Sequence, residues 1–172
     1  MELIFVQHAD AATRDVDGGG AFVPGATGGH QAPAVARRLG AEGGWDALYA
    51  AGPPAADTAA AIGAATGLTP RSSPATADAV DAVIADHPGQ RVLVCACPQV
   101  IDEIVRRAFG VAAQVVRSPD PTGITRIMAS RTGHREIVSL NDTAHLRVGE
   151  PFRNVANHDN SLNNNETGKA QP

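Results

Sequence analysis

Leu3-Ile4-Phe5-Val6-Gln7-His8-Ala9-Asp10 is an apolar run closed by an amide and an imidazole, with an acid two residues further on. Four consecutive apolar residues are too few for a helix and read as a buried central strand. In open α/β sheets, ligands sit in the crevice outside the carboxyl ends of such strands. The stretch therefore marks both the start of the core and the candidate site, with Gln7, His8 and Asp10 at its mouth.

Outward from this strand, Ala32, Val35, Ala36 and Leu39 recur at i, i+3, i+4 and i+7 before Gly40, which predicts an amphipathic helix ending there. Residues 45–51 read as a second strand. Pro53 and Pro54 open the next helix, where a missing N–H costs nothing, and Gly67 ends it. A shorter helix carries Val80, Val83 and Ile84 on one side. Residues 91–97 form a third strand, and Pro98 starts a helix with Ile101, Ile104, Val105 and Ala108 facing in. Residues 124–129 and 136–140 pair around the turn Thr132-Gly133. Strands alternating with helices predict an α/β protein, a three-layer α/β/α sandwich on a mostly parallel central sheet. Residues 11–29 are rich in Gly, Asp and Ala and match neither a Walker loop nor G-x-G-x-x-G, so they read as a surface loop. The domain is placed at 1–149. Residues 150–172 form a polar, Asn-rich tail that cannot bury enough to offset its ordering entropy.

Strand, Arg-His-Gly, then an acid is the opening of the histidine phosphatase (phosphoglycerate mutase-like) superfamily. Val6-Gln7-His8-Ala9-Asp10 resembles it, with the Arg and the Gly replaced. Glu136-Ile137-Val138-Ser139-Leu140-Asn141-Asp142-Thr143-Ala144-His145-Leu146 is similar to the closing strand and its Asn-Asp-x-x-His-Leu signature. Between them, Gly29-His30-Gln31-Ala32 loosely resembles a Gly-x-x-Gln-Ala helix start, and residues 45–51 match a strand ending in Tyr-Ser-Ser. The landmarks keep their order, so the resemblance covers roughly residues 2 to 147 and implies a small phosphoglycerate mutase-like fold. The segment 69–79 is too short to hold a lid domain.

The resemblance also implies a set of residues to check. Such phosphatases use a nucleophilic His, two Arg and a second His around the phosphoryl group, and an acid for the leaving group; a dianion needs several fixed, charge-assisted donors. His8 matches the nucleophile. Gln7 stands where the first Arg would be and keeps a donor without the charge or the planar fork. The second Arg belongs to a Ser-Ser-Pro-x-x-Arg-Ala-x-x-Thr-Ala pattern, but Ala50-Ala51-Gly52-Pro53-Pro54-Ala55-Ala56-Asp57-Thr58-Ala59 holds no Arg, and Asp57 adds negative charge. Cys95-Ala96-Cys97-Pro98 puts Ala96 in place of the second His. Losing one such donor costs about 2.7 to 4 kcal/mol of transition-state stabilisation, so three losses remove several orders of magnitude of rate even when far from additive. Entry of Arg14, Arg117 or Arg126 into the pocket is the one route back to an ordinary phosphatase.

Two readings stand for His8: a relic held by backbone hydrogen bonds, or a general acid/base or ligand-orienting donor with Asp10 or Asp57 as partner. Cys95 and Cys97, two apart, share a strand face on this reading and are either small buried hydrophobes or a thiol nucleophile paired with His8. A metal held by His8, Cys95 and Cys97 rests on no known ligand spacing. The candidate catalytic residues are thus His8, Asp10, Cys95 and Cys97, the candidate binding residues Gln7, Arg14, Asp57 and Gln99, with no metal and no cofactor implied. His145 reads as structural, and His30, His87, His134 and His158 as surface or loop residues.

Composition narrows the partners. The chain has 172 residues, 43% hydrophobic but only 3% aromatic, so its core is aliphatic. A formal charge of −4 without a Lys or Arg cluster gives no footprint for nucleic acid or an anionic membrane. No apolar run approaches the roughly 20 residues of a membrane helix, and no basic leader precedes the first strand, which predicts a cytoplasmic protein. The abundant Ala and Gly, with Arg preferred over Lys, fit the coding bias of a GC-rich bacterium. The expected partner is a small-molecule ligand. The function this leaves open is binding, or acid/base chemistry such as cyclisation, dehydration or isomerisation in biosynthesis. Its alternatives are a weak phosphomonoesterase or phosphohistidine phosphatase working through His8, and an inactive relative that binds a protein. Oligomeric state is open, a dimer included.

Overall fold

The opening apolar run is strand β1 (Glu2–Gln7), with Leu3, Ile4, Phe5 and Val6 all fully buried. A computed structural model of the chain describes residues 1–13, 22–24, 28–112 and 119–147. After β1 come β2 (Ala11–Thr13), β3 (Phe22–Pro24), α1 (Gly28–Glu42), β4 (Ala47–Ala51), α2 (Ala56–Thr66) and β5 (Arg71–Ser73). They are followed by α3 (Ala77–Asp86), β6 (Arg91–Ala96), α4 (Pro98–Phe109), β7 (Ile124–Ala129) and β8 (Arg135–Asp142).

The main sheet has six strands in the order β5-β4-β6-β1-β7-β8. β1 runs parallel to β6, and β4 parallel to both β6 and β5; β7 is antiparallel to β1 and to β8. Side-chain alternation along β1 divides the core in two. Leu3 and Phe5 pack with Val80, Ile84, Ile101 and Ile104 of α3 and α4. Ile4 and Val6 pack with Val35 and Leu39 of α1 and Ile62 of α2. The molecule is thus the three-layer α/β/α sandwich expected, and both faces of the sheet are largely aliphatic. Burial of each such side chain is worth about 1.5–3 kcal/mol. The crossover from β1 leads through α1 to β4, and that from β6 through α4 to β7 on the other face. The carboxyl ends of β1 and β6 therefore flank a switch point, the place at which open α/β sheets bind ligands.

Three expectations need correcting. Gly40 does not end the first helix, which continues to Glu42; a Cβ on Gly40 would lie 2.9 Å from the Ala65 carbonyl oxygen and 3.2 Å from its Cβ, so this glycine lets α1 and α2 approach closely. The Gly-rich stretch 11–29, expected as a surface loop, contains the two-stranded pairing of β2 with β3. His87 is not a surface residue: it is 8% exposed, and its Nε2 takes a hydrogen bond from the Tyr49 hydroxyl at 2.9 Å. The tail 150–172 lies outside the described residues. Among the described residues, no helix is long and apolar enough to cross a membrane.

Candidate functional site

β1 ends at Gln7, and its ladder with β6 runs one residue further, the His8 N–H donating to the Ala96 carbonyl at 3.1 Å. His8 is half-buried, with Nδ1 2.8 Å from the Ala9 carbonyl oxygen. A carbonyl can only accept, so Nδ1 carries the proton, and in the neutral ring the lone pair then lies on Nε2. The loop after His8 is tied down from both helices of one layer. Ala9 N–H donates to Thr58 Oγ1 of α2 at 2.9 Å, and Asp10 N–H to Gln31 Oε1 of α1 at 2.8 Å.

Gln7 is only 6% exposed. Its backbone is clamped by the loop before β7, with Gln7 N–H donating to the Gly123 carbonyl and Thr122 N–H to the Gln7 carbonyl, each at 3.1 Å. Its side-chain Oε1 is buried and has no donor among the described residues. In the sheet register Gln7 lies opposite Ala96, itself fully buried.

The clamp rests on the closing motif. Thr122, fully buried at φ 60°, places its Oγ1 3.0 Å from His145 Nε2. Arg38 Nη1 lies 3.4 Å from His145 Nδ1 and pairs through Nη2 with Asp142, whose other oxygen accepts from Ala144 N–H at 2.9 Å. Arg38 holds the Asp142 carboxyl down at about 2. Burial, reinforced by Arg38, lowers the His145 pKa and keeps the ring neutral. Asn141, at φ 49°, accepts from Asp120 N–H and donates to the Asp120 carboxylate, each at 2.8 Å. A Cβ on Gly123 would lie 2.1 Å from Asn141 Oδ1, so only glycine fits there.

The other candidates separate. Cys95 and Cys97 do not share a strand face: β6 stops at Ala96, Cys95 packs with the α1/α2 core, and Cys97 caps α4 and packs with the α3/α4 core. Cys95 is fully buried, which pushes its thiol up to about 12 and leaves no thiolate to attack anything. Asp57 and Gln99 are exposed in the first turns of α2 and α4. Arg126 lies toward the opposite end of β1, paired with Glu2 and Glu42, and does not enter the site. Arg14 and Arg117 lie outside the described residues. Among the described residues no three His, Cys, Asp or Glu side chains group as a metal site.

Sequence reasoning passed over Thr58, Gln31, Thr122 and Gly123. Thr58 and Gln31 stand in the Thr-Ala and Gln-Ala pairs of the patterns already quoted, so the signal for them was present. Thr122 and Gly123 carried none.

With this geometry in hand, the likeness to solved structures is direct. A phosphoserine phosphatase from Entamoeba histolytica, with 3-phosphoglyceric acid bound, superposes with a TM-score of 0.68 at 15% identity over 84% of this chain and 98% of the other. A mycobacterial glucosyl-3-phosphoglycerate phosphatase gives 0.67 at 15% over 83% and 99%. The protein histidine phosphatase SixA, complexed with tungstate, gives 0.66 at 15% over 85% and 99%. The chain has the histidine phosphatase fold. At sequence level no family model and no curated protein matches it. The histidine phosphatase fold thus persists here with Gln7 and Ala96 side by side where the resemblance puts an Arg and a His.

Proposed function

We propose that this protein uses its histidine phosphatase fold to bind a small metabolite, and that phosphoryl transfer is not its activity. The observation that carries this is the pairing of Ala96 with the end of β1. The position assigned to a second imidazole touches His8 through its backbone and offers a methyl group. Gln7 beside it is neutral, and no described Arg hydrogen-bonds to Gln7 or His8. A phosphoryl dianion depends on preorganised charge, and none of the described ion pairs or hydrogen bonds supplies any at Gln7 or His8. His8, whose neutral ring would carry its lone pair on Nε2, is the residue able to do acid/base work on the bound molecule.

A phosphatase working through His8 is the competing reading. The solved neighbours carry phosphatase names, and a lone pair on Nε2 with Nδ1–H held by a carbonyl is the tautomer a nucleophilic imidazole needs. Hydrolysis of p-nitrophenyl phosphate by the wild type and by His8→Ala separates the two. The expected result is no difference between them. Turnover that vanishes in His8→Ala establishes the phosphatase.

A further inference from the structure

Most guanidinium groups among the described residues are neutralised: Arg38, Arg91, Arg106, Arg107, Arg126 and Arg135 each pair with a carboxylate. Arg37, exposed on α1, has no ion pair or hydrogen bond among them. It lines two cavities between α1 and the closing turn (Ala144–Leu146). One, of about 280 Å³, lies among His30, Gln31, Pro33, Arg37, His145 and Leu146. The other, of about 440 Å³, shares Ala34, Arg37 and His145 with the first and adds Arg38 and Ala144. The larger is of a size that takes a small ligand.

The polar lining has one sign. No Asp or Glu borders either cavity, and Asp142 of the closing motif is engaged by Arg38 and by the Ala144 N–H. His145 serves as a wall, since its two ring nitrogens face Thr122 and Arg38. Gln31 gives its Oε1 to the Asp10 N–H, so the group it has left for a ligand is its NH2, a donor. With Arg38 neutralised, one unmatched guanidinium remains beside the exposed His30, bordered by apolar surface from Pro33, Ala34, Ala144 and Leu146. A single planar fork of N–H donors matches one carboxylate in charge and in shape, whereas a phosphate dianion would be only half neutralised.

We propose that this groove binds a small organic carboxylate, with the carboxyl group on the Arg37 guanidinium and the hydrocarbon part against Pro33, Ala34 and Leu146. The site is separate from the end of β1 and does not depend on the reading of His8 given above.

The test is NMR titration of the full chain, following the Arg37 Nε–H and the Leu146 methyl groups, with sodium butyrate, butyramide and sodium phosphate at matched ionic strength. Butyrate is expected to shift both signals saturably, butyramide to leave both in place, and phosphate to bind more weakly than butyrate. Arg37→Gln changes an exposed side chain and is expected to weaken butyrate binding, read at Leu146, by about tenfold or more. Leu146→Ser is expected to weaken it as read at Arg37. His8→Ala is expected to bind butyrate as the wild type does.

An equal response to butyramide overturns the charge assignment, and tighter binding of phosphate than of butyrate overturns the carboxylate. Silence with all three probes, or unchanged butyrate binding in Arg37→Gln, overturns the site itself. Loss of butyrate binding in His8→Ala would move the ligand to the end of β1 and overturn the separate groove.

Discussion

Cys95 and Ala96 are neighbours at the end of β6, and each withholds one kind of chemistry from the site. Cys95 is a thiol kept protonated by its complete burial, and Ala96 is a methyl where an imidazole would be needed. Cys97, half-exposed at the head of α4, differs from Cys95 although only two residues separate them. Native protein is therefore expected to titrate one thiol with Ellman's reagent and denatured protein two; two fast thiols in the native state would contradict the burial of Cys95. The sequence shows the loss at Ala96 directly, because it lies inside a pattern. It hides the separation of the cysteines, since that depends on where β6 gives way to the cap of α4. It also hides Thr122, whose partners Gln7 and His145 are distant in the chain and follow no local period.

At the scale of elements, two contacts set how α1 sits. Its inner side meets α2 through Gly40, where an added methyl would press on the Ala65 backbone. Gly40→Ala is expected to cost about 1–3 kcal/mol by overpacking, despite alanine's better helix propensity, and chemical denaturation measures it. The sequence read Gly40 as a stop because a glycine after an amphipathic run usually is one, and only the opposing helix shows otherwise. β5 was equally hidden, since Arg71-Ser72-Ser73 has no apolar alternation and is a strand only because β4 offers it an edge.

The other contact joins α1 to the closing turn through Arg38, Asp142 and His145, and it makes stability depend on pH in two steps. The His145 pKa is lowered from 6.5 on folding, so the unfolded chain takes up its proton first, and stability falls as pH drops below about 6.5. Asp142, ordinarily at 3.8, is held near 2, so its contribution is full above about 4 and lost between there and about 2. The Arg38 and Asp142 side chains are 27% and 34% exposed, and solvent screening limits the pair to ~1 kcal/mol. Melting temperatures across this range are expected to show both steps in the wild type, only the lower in His145→Asn, and only the upper in Asp142→Asn. An unchanged profile in both variants would remove the lock from the account.

For the whole molecule, the question is where its positive charge has gone. Arg91 and Arg126 are gathered at the far end of β1, where they bind Glu2 and Glu42 and where Arg91 lies 4.1 Å over the Trp45 ring. Burial would raise the Glu42 pKa, but these two guanidinium groups outweigh it and lower it. Arg106, Arg107 and Arg135 pair with acids along α3 and α4. The layers, the mostly parallel sheet and the closing motif were legible in the sequence because apolar periodicity and short motifs encode them. The polarity of the site was legible only as absences. Its positive content, an acceptor on Gln7 that no donor meets among the described residues, needed coordinates.

The claim that the scaffold is intact and only its phosphate pocket is gone is tested most directly by calorimetric titration of inorganic phosphate. It would be run on the wild type and on a Gln7→Arg/Ala96→His double variant. The expected result is no heat of binding in the wild type and measurable binding in the double variant. Phosphate binding by the wild type, abolished in His8→Ala, would contradict the account.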